Sequence, residues 1–300
     1  MNIVVAGGTG FIGSSLVPLL RLEGHEVVVL TRNPERAPFT PGVTRLRWDG
    51  VTRGEWTDRV QMADAVINLA GESIGGGRWS ASRKERIVSS RVNATRVLLE
   101  SIRLGEKKPS LFISSSAVGY YGPVESGDVT EVHTPGSGFL ADVCLRWEQE
   151  AIAVGELGPR VVILRTGVVI GEKGGALERM VLPFRLYAGG PIGSGRQWFP
   201  WVHSDDVTGV ILFALGNVAL AGPVNVVAPE CVDMKAFCAA LGVALSRPSW
   251  IPVPAVALRA ALGEMADMIL TGQRVVPAKL LGLGYRFRHP ALAEALASVV

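Results

Sequence analysis

Apolar residues over the first 170 positions follow two rhythms. Short, nearly unbroken runs rich in valine and isoleucine, "NIVVAG", "HEVVVL", "TRLRWD", "DAVINLAG", "SLFISSS" and "RVVILRTG", read as strands buried on both faces. Between them lie longer stretches in which apolar positions return every three or four residues: "FIGSSLVPLLRLEG", "SRKERIVSSRVNATRVLLESIRLG" and "ADVCLRWEQEAIAVG". These read as amphipathic helices ending at Gly24, Gly105 and Gly155, where a helix C-cap favours glycine. Strand, helix and strand repeated in this way predict an α/β fold, a doubly wound parallel sheet covered on both faces.

After residue 170 the rhythm changes. Glycine-rich loops, "GEKGGA" and "AGGPIGSGRQW", flank a helix around 176–188, and the later segments are shorter and broken by proline. The pattern divides the chain into a sheet-bearing domain over 1–170 and a smaller C-terminal lobe over 171–300, closely packed, with some elements free to cross back to the sheet. The 23 residues between Asp206 and Glu230 carry no charge and are long enough to cross a bilayer. Gly209, Gly216, Asn217, Gly222, Pro223 and Asn225 break them into a buried helix, a turn and the strand "PVNVV", so no membrane span is expected.

Composition narrows the class further. Hydrophobic residues at 48%, charged residues at 19% and 36 glycines among 300 positions describe a globular chain rich in tight turns, and exclude disorder and collagen. The net charge of +3 and pI near 8.9 come from scattered Lys and Arg without interleaved aromatics, which argues against a nucleic-acid partner. Cys144, Cys231 and Cys238 have no C-x-x-C spacing, and His203 has no ligand companion nearby in sequence, so neither disulfides nor a metal site are expected. With no export signal ahead of "MNIVVAGG", the expected location is cytoplasmic.

The candidate chemistry starts at "GGTGFIG". Gly7, Gly10 and Gly13 follow a strand and open a helix, with Thr9 between them; this context makes a dinucleotide turn of an otherwise weak motif. Glycine there permits a sharp turn, close approach to a pyrophosphate and tight helix–strand packing, and the N–H groups around Phe11 and Ile12 face the phosphates. The second strand runs into Thr31 and Arg32 with no acid until Glu35. A hydroxyl and a guanidinium there favour the 2′-phosphate of NADP over the bare ribose of NAD.

These residues resemble the extended short-chain dehydrogenase/reductases, the group that includes nucleoside-diphosphate-sugar epimerases and dehydratases. "GGTGFIG", "NLAG" at 68–71, "ISSSA" at 113–117 and "WVHSDDV" at 201–207 carry the likeness, and Asn93 falls where such enzymes keep a structural asparagine. A closer resemblance, spanning nearly the whole chain, is to an atypical SulA-like branch termed epimerase family proteins. It rests on "NLAGESI", "KERIVSSR", "GYYG", "RTGVVIG", "GGPIGSGRQWFPWVH" and the C-terminal "GEMADMILTGQRVVPAKLLGLGYRFRHP".

The resemblance implies that Asn68, Leu69, Ala70 and Gly71 line the adenosine side, that Glu85 and Arg91 frame it, and that Gly167 and Val169 pass the nicotinamide. It implies Ser116 as the catalytic serine, with Asn93 in support. The family's Tyr-x-x-x-Lys pair, which exchanges a proton with substrate, is absent: Leu140 and Cys144 stand in its place, and the chain contains no other such spacing. Tyr120 and Tyr121 follow the serine strand, and Tyr121 is the substitute acid this reading offers; the alternative is aromatic packing. Cys144 as a nucleophile is weaker still. In "GGPIGSGRQWFPWVH", Arg196, Gln197, two tryptophans and His203 either clasp a planar or anionic molecule or hold the two parts together. Asp205 and Asp206 read as helix N-caps.

The expected function is that of an NADP(H)-binding oxidoreductase-like protein acting on a small-molecule substrate without the usual relay. The alternative is a non-catalytic, NADP-dependent regulatory or interaction protein. A true sugar-nucleotide epimerase fits least, because the missing pair is the centre of that mechanism.

Overall fold

Each of the six strand-like runs forms a strand of one sheet: β1 (Asn2–Ala6), β2 (Glu26–Thr31), β3 (Val43–Arg47), β4 (Ala65–Asn68), β5 (Leu111–Ala117) and, after the two-residue β6 (Asp128–Val129), β7 (Arg160–Thr166). The computed structural model describes residues 1–37, 40–172 and 174–300. Six further strands follow: β8 (Val168–Ile170), β9 (Trp198–Phe199), β10 (Trp201–His203), β11 (Gly222–Val226), β12 (Val232–Asp233) and β13 (Arg274–Val275). The main sheet has seven parallel strands in the order β11-β7-β5-β4-β1-β2-β3. The order reverses between β1 and β4, and in open α/β sheets ligands bind in the crevice at such a switch point.

The helices are α1 (Phe11–Leu22), α2 (Thr57–Gln61), α3 (Ala81–Leu104), α4 (Phe139–Gly155), α5 (Leu177–Arg185), α6 (Ser204–Gly216), α7 (Met234–Ala244), α8 (Ala255–Leu262), α9 (Asp267–Leu270), α10 (Ala278–Gly282) and α11 (Leu292–Ala297). Alternation along β1 sends Ile3 and Val5 into a core with Leu16 and Leu20 of α1 and Val210 and Ile211 of α6. Val4 and Ala6 enter a second core with Leu98 and Ile102 of α3 and Ala151 of α4. The sheet is therefore wound on both faces. A third core, around Phe199, Trp201, Phe237 and Leu292, belongs to the C-terminal lobe.

Several sequence expectations shift. Strand β11 pairs with β7 and α6 packs on the first core, so the sheet-bearing part takes up chain well beyond residue 170. The three predicted helix ends hold, with Gly24 just past the cap of α1, Gly105 as the cap of α3 and Gly155 as the last residue of α4, but only Gly24 takes the left-handed conformation (φ +80°). Asp205 and Asp206 are not the N-caps of α6. That role falls to His203, whose ring accepts the Asp205 N–H. The helix anticipated at 176–188 is α5, and Lys173 of the loop before it lies outside the described residues. No helix among the described residues is long and apolar enough to cross a membrane.

Candidate functional site

The glycine turn is held by backbone contact on two sides. Gly7 has φ +78°, and a Cβ there would lie 2.9 Å from the Leu69 carbonyl carbon; one on Gly13 would lie 2.6 Å from the Gly7 oxygen. A Cβ on Gly8 would meet Val29 at 3.0 Å, which brings the turn down onto β2 as well. Gly10, the N-cap of α1, donates its N–H to Gly7 O at 3.0 Å. Phe11 and Ile12 stand in the first turn, where amide groups have no carbonyl one turn back and face outward. This is a cradle that side chains would fill, and it fits a pyrophosphate.

At the end of β2 the hydroxyls of Thr9 and Thr31 approach to 3.3 Å, and Arg32 follows in an exposed position. Arg45 of β3 pairs in register with Val29, so it shares the face of Thr31 two residues on. Its guanidinium donates to Ala37 O at 2.8 Å and, with Gly8, Thr9, Val29 and Val43, lines a small, open surface hollow. Only the strand register reveals Arg45, which sequence reading passed over.

On the other side of β1, Asn68 is fully buried. Its amide donates to Thr95 Oγ1 at 2.9 Å and its carbonyl accepts the Ala70 N–H at 3.2 Å, shaping the segment Asn68–Gly71 against the turn. Arg91 is also buried, donating to Ile87 O (2.9 Å) and Glu72 O (3.0 Å) and lying over the Trp147 ring. Burial pulls its pKa below the usual value, opposed by Cys144 and Glu72. It holds the strand-to-helix loop in place, and a Cβ on Gly71 would meet its guanidinium carbon at 3.1 Å. Glu85 is exposed on α3, six residues before the buried Arg91. Asn93 is half-buried on the same helix.

At the end of β5, Ser116 donates to Glu148 Oε1 at 2.6 Å. Glu148 on α4 is only 3% exposed and receives Arg165 of β7 through two bonds, Nε to Oε1 (2.9 Å) and Nη2 to Oε2 (2.8 Å). Arg165 also donates to the Tyr121 phenol at 3.0 Å, and Tyr121 in turn donates to Asn225 Oδ1 at 2.6 Å. The guanidinium lies 3.5 Å from the Tyr120 ring centroid. Burial works against the charge of Arg165, but the Glu148 carboxylate outweighs it and raises the pKa.

Tyr121 is therefore not the substitute acid considered from sequence. It is 2% exposed, bonded at both ends, and burial pushes its pKa up to about 12. Cys144 is equally unsuited as a nucleophile, its thiol pushed up to about 11 by burial. A Cβ on Gly119 would sit 3.3 Å from Leu140 Cβ and 3.9 Å from Cys144 Sγ, which places both residues beside the turn that follows the serine strand. Trp79 packs edge-on against Phe139 with ring centroids 5.1 Å apart, an aromatic wall next to Leu140.

Gly167 passes beneath the Pro200 carbonyl, where a Cβ would lie 2.5 Å from the oxygen, and Val169 sits half-buried in β8. Gly171, Gly174 and Gly175 crowd the Phe11 ring, drawing the loop before α5 over the start of α1. In "GGPIGSGRQWFPWVH" the internal bonds favour the loop-holding role. Gln197 donates to Ile192 O and Ile269 O, Trp201 is buried and donates to Glu230 O, and Ser194 and Arg196 remain exposed. His203 has a companion after all, since His289 reaches it from the C-terminal segment.

A parallel sheet reversing between β1 and β4, a glycine turn seated against β4, and a C-terminal lobe over the sheet's carboxyl edge define a Rossmann-type dinucleotide-binding protein. Residues 3–227 match the NAD dependent epimerase/dehydratase family, and the chain belongs to that family. Residues 253–299 match a domain of unknown function, DUF1731. The chain is 41% identical over 308 residues to the chloroplastic epimerase family protein SDR39U1 homolog of Arabidopsis thaliana, covering 100% of this chain and 87% of the relative. It is 41% identical over 302 residues to epimerase family protein YfhF of Bacillus subtilis, covering 100% and 98%. Among solved structures, human epimerase family protein SDR39U1 (isoform 2) with NADPH superposes at a TM-score of 0.87 with 35% identity, covering 100% of this chain and 99% of the other.

Proposed function

We propose that this protein is an NADP(H)-binding, oxidoreductase-like member of its family that takes a small molecule in the cleft between the sheet's carboxyl edge and the C-terminal lobe. The glycine turn carries the reading, because its backbone contacts leave no room for side chains yet open the first turn of α1 toward the crevice. Phe11 and Ile12 amides hold the pyrophosphate. Thr9, Thr31 and Arg32, with Arg45 behind them, receive the 2′-phosphate where an NAD site would carry an acid. The human relative solved with NADPH supports this choice.

Bound NADPH supplies a hydride at its nicotinamide. Leu140 and Cys144 at the family's Tyr and Lys positions offer no phenol–ammonium pair beside it, so the chain's part is to bind, orient and exclude water. A cytoplasmic location and a small-molecule partner belong to the same reading, supported by the scattered basic residues and the lack of a membrane-crossing helix among the described residues. The alternative, a non-catalytic NADP-dependent regulator, is favoured by one observation: the Ser116 and Tyr121 hydroxyls both donate to internal acceptors.

Titration with NADPH and NADH, followed by coenzyme fluorescence, tests the proposal. NADPH is expected to bind at least about tenfold tighter, the scale of one charge-assisted hydrogen bond, and Arg32→Ala to narrow the gap. Failure to bind either coenzyme overturns it. A screen of carbonyl compounds and sugar nucleotides following NADPH oxidation separates the two readings: turnover lost in Ser116→Ala supports the enzyme, and absence of turnover with NADPH bound supports the regulator.

A further inference from the structure

The start of α6 and the segment before α11 bring together three ligating side chains that the coenzyme site does not use. His203 Nδ1 lies 3.8 Å and His289 Nε2 3.4 Å from Asp205 Oδ2, and one donor atom from each residue lies within 4.8 Å of the others. The two rings have centroids 3.8 Å apart and planes tilted by 39°, with both edges turned to the same carboxylate oxygen. We propose that His203, Asp205 and His289 form a binding site for a divalent transition metal of the zinc class.

The donor set fits that class. Imidazole nitrogen with one carboxylate suits zinc, cobalt or nickel, whereas magnesium and calcium take oxygen ligands. Tetrahedral bonds of about 2.0–2.1 Å place neighbouring donors roughly 3.3 Å apart, so the two His–Asp separations need only a small contraction while the imidazole rings turn apart from their stacked arrangement, with water as the fourth ligand.

The surroundings orient the ligands. His203 Nδ1 accepts the Asp205 N–H at 3.1 Å, so its lone pair faces the start of α6 and a bound ion would take the place of that hydrogen bond; its Nε2 faces Ser298 Oγ at 3.4 Å, the kind of second contact that fixes the tautomer of a metal-binding histidine. His289 is positioned by its backbone, since the buried Asp206 carboxylate accepts the N–H groups of Arg288 (2.7 Å) and His289 (2.9 Å). The competing cation is Arg288, 3.3 Å from Asp205 Oδ2. Its side chain is 74% exposed, a weak surface pair that can turn to solvent. A bound ion would staple the C-terminal segment to the start of α6.

Metal-stripped protein titrated with Co²⁺ and then Zn²⁺ at neutral pH tests the site. One equivalent of Co²⁺ is expected to give the visible bands of a low-symmetry four-coordinate ion, to be displaced by Zn²⁺, and to raise the thermal midpoint. His289→Phe keeps an aromatic ring against His203 but removes a ligand, and Asp205→Asn removes another. Each is expected to weaken Co²⁺ binding by about tenfold or more. Circular dichroism verifies that each variant folds, and if one does not, the other decides. Lack of stoichiometric binding, or equal binding by both folded variants, overturns the proposal; the latter places the ion elsewhere, for instance at Cys231.

Discussion

Tyr121 shows how much of a residue's chemistry is decided by its surroundings. A phenol after a serine strand reads as a proton donor, yet this one is enclosed between Arg165 and Asn225. Its burial has a pH signature. An unfolded tyrosine ionises near pH 10, whereas Tyr121 keeps its proton to about 12, so the native state holds more protons between those values. Its contribution to stability is complete below about pH 10 and is lost as pH rises toward 12, at up to roughly 1.4 kcal/mol per pH unit. Denaturant unfolding at several alkaline pH values, compared with Tyr121→Phe, should show a shallower loss in the variant; identical slopes would contradict the buried phenol. The glycines were legible because their requirement is steric and local. Tyr121 was not, because its acceptor Asn225 lies 104 residues away in sequence.

At the scale of elements, the runs that read as strands became strands because continuous apolar residues suit a sheet buried on both faces. The start of α6 was less legible, since it begins at Ser204 with a histidine as its cap. The joint between α4 and the sheet is the polar feature that periodicity hid: Glu148 on the buried face of α4 and Arg165 near the end of "RVVILRTG" are locked bidentately at 3% exposure each. Removing one partner leaves the other charge buried and unpaired. Glu148→Gln is therefore expected to cost about 3–5 kcal/mol in denaturant unfolding, far more than loss of any surface pair in this chain. A change below 1 kcal/mol would show that the joint contributes little.

For the whole molecule, the C-terminal segment is tied to the sheet-bearing part through Asp206, whose buried carboxylate accepts two backbone N–H groups and faces the Tyr285 hydroxyl. Asp206→Asn replaces an acceptor oxygen by an amide and should cost about 1.5–3 kcal/mol, the range for hydrogen bonds to a charged group. Hydrogen exchange in metal-free protein is expected to quicken over residues 285–299 while β1, β4 and β5 keep their protection. Uniform loss of protection would mean the segment is no separate unit.

Sequence alone determined the parallel sheet, the glycine turn, and the family these imply, because strand periodicity and the steric demands of a tight turn act between near neighbours. It left open which polar side chains are enclosed and with whom. Glu148 with Arg165, Tyr121 with Asn225, and His203 with Asp205 and His289 became partners only in the tertiary structure, since hydrogen bonds and ion pairs depend on distance through space and not along the chain.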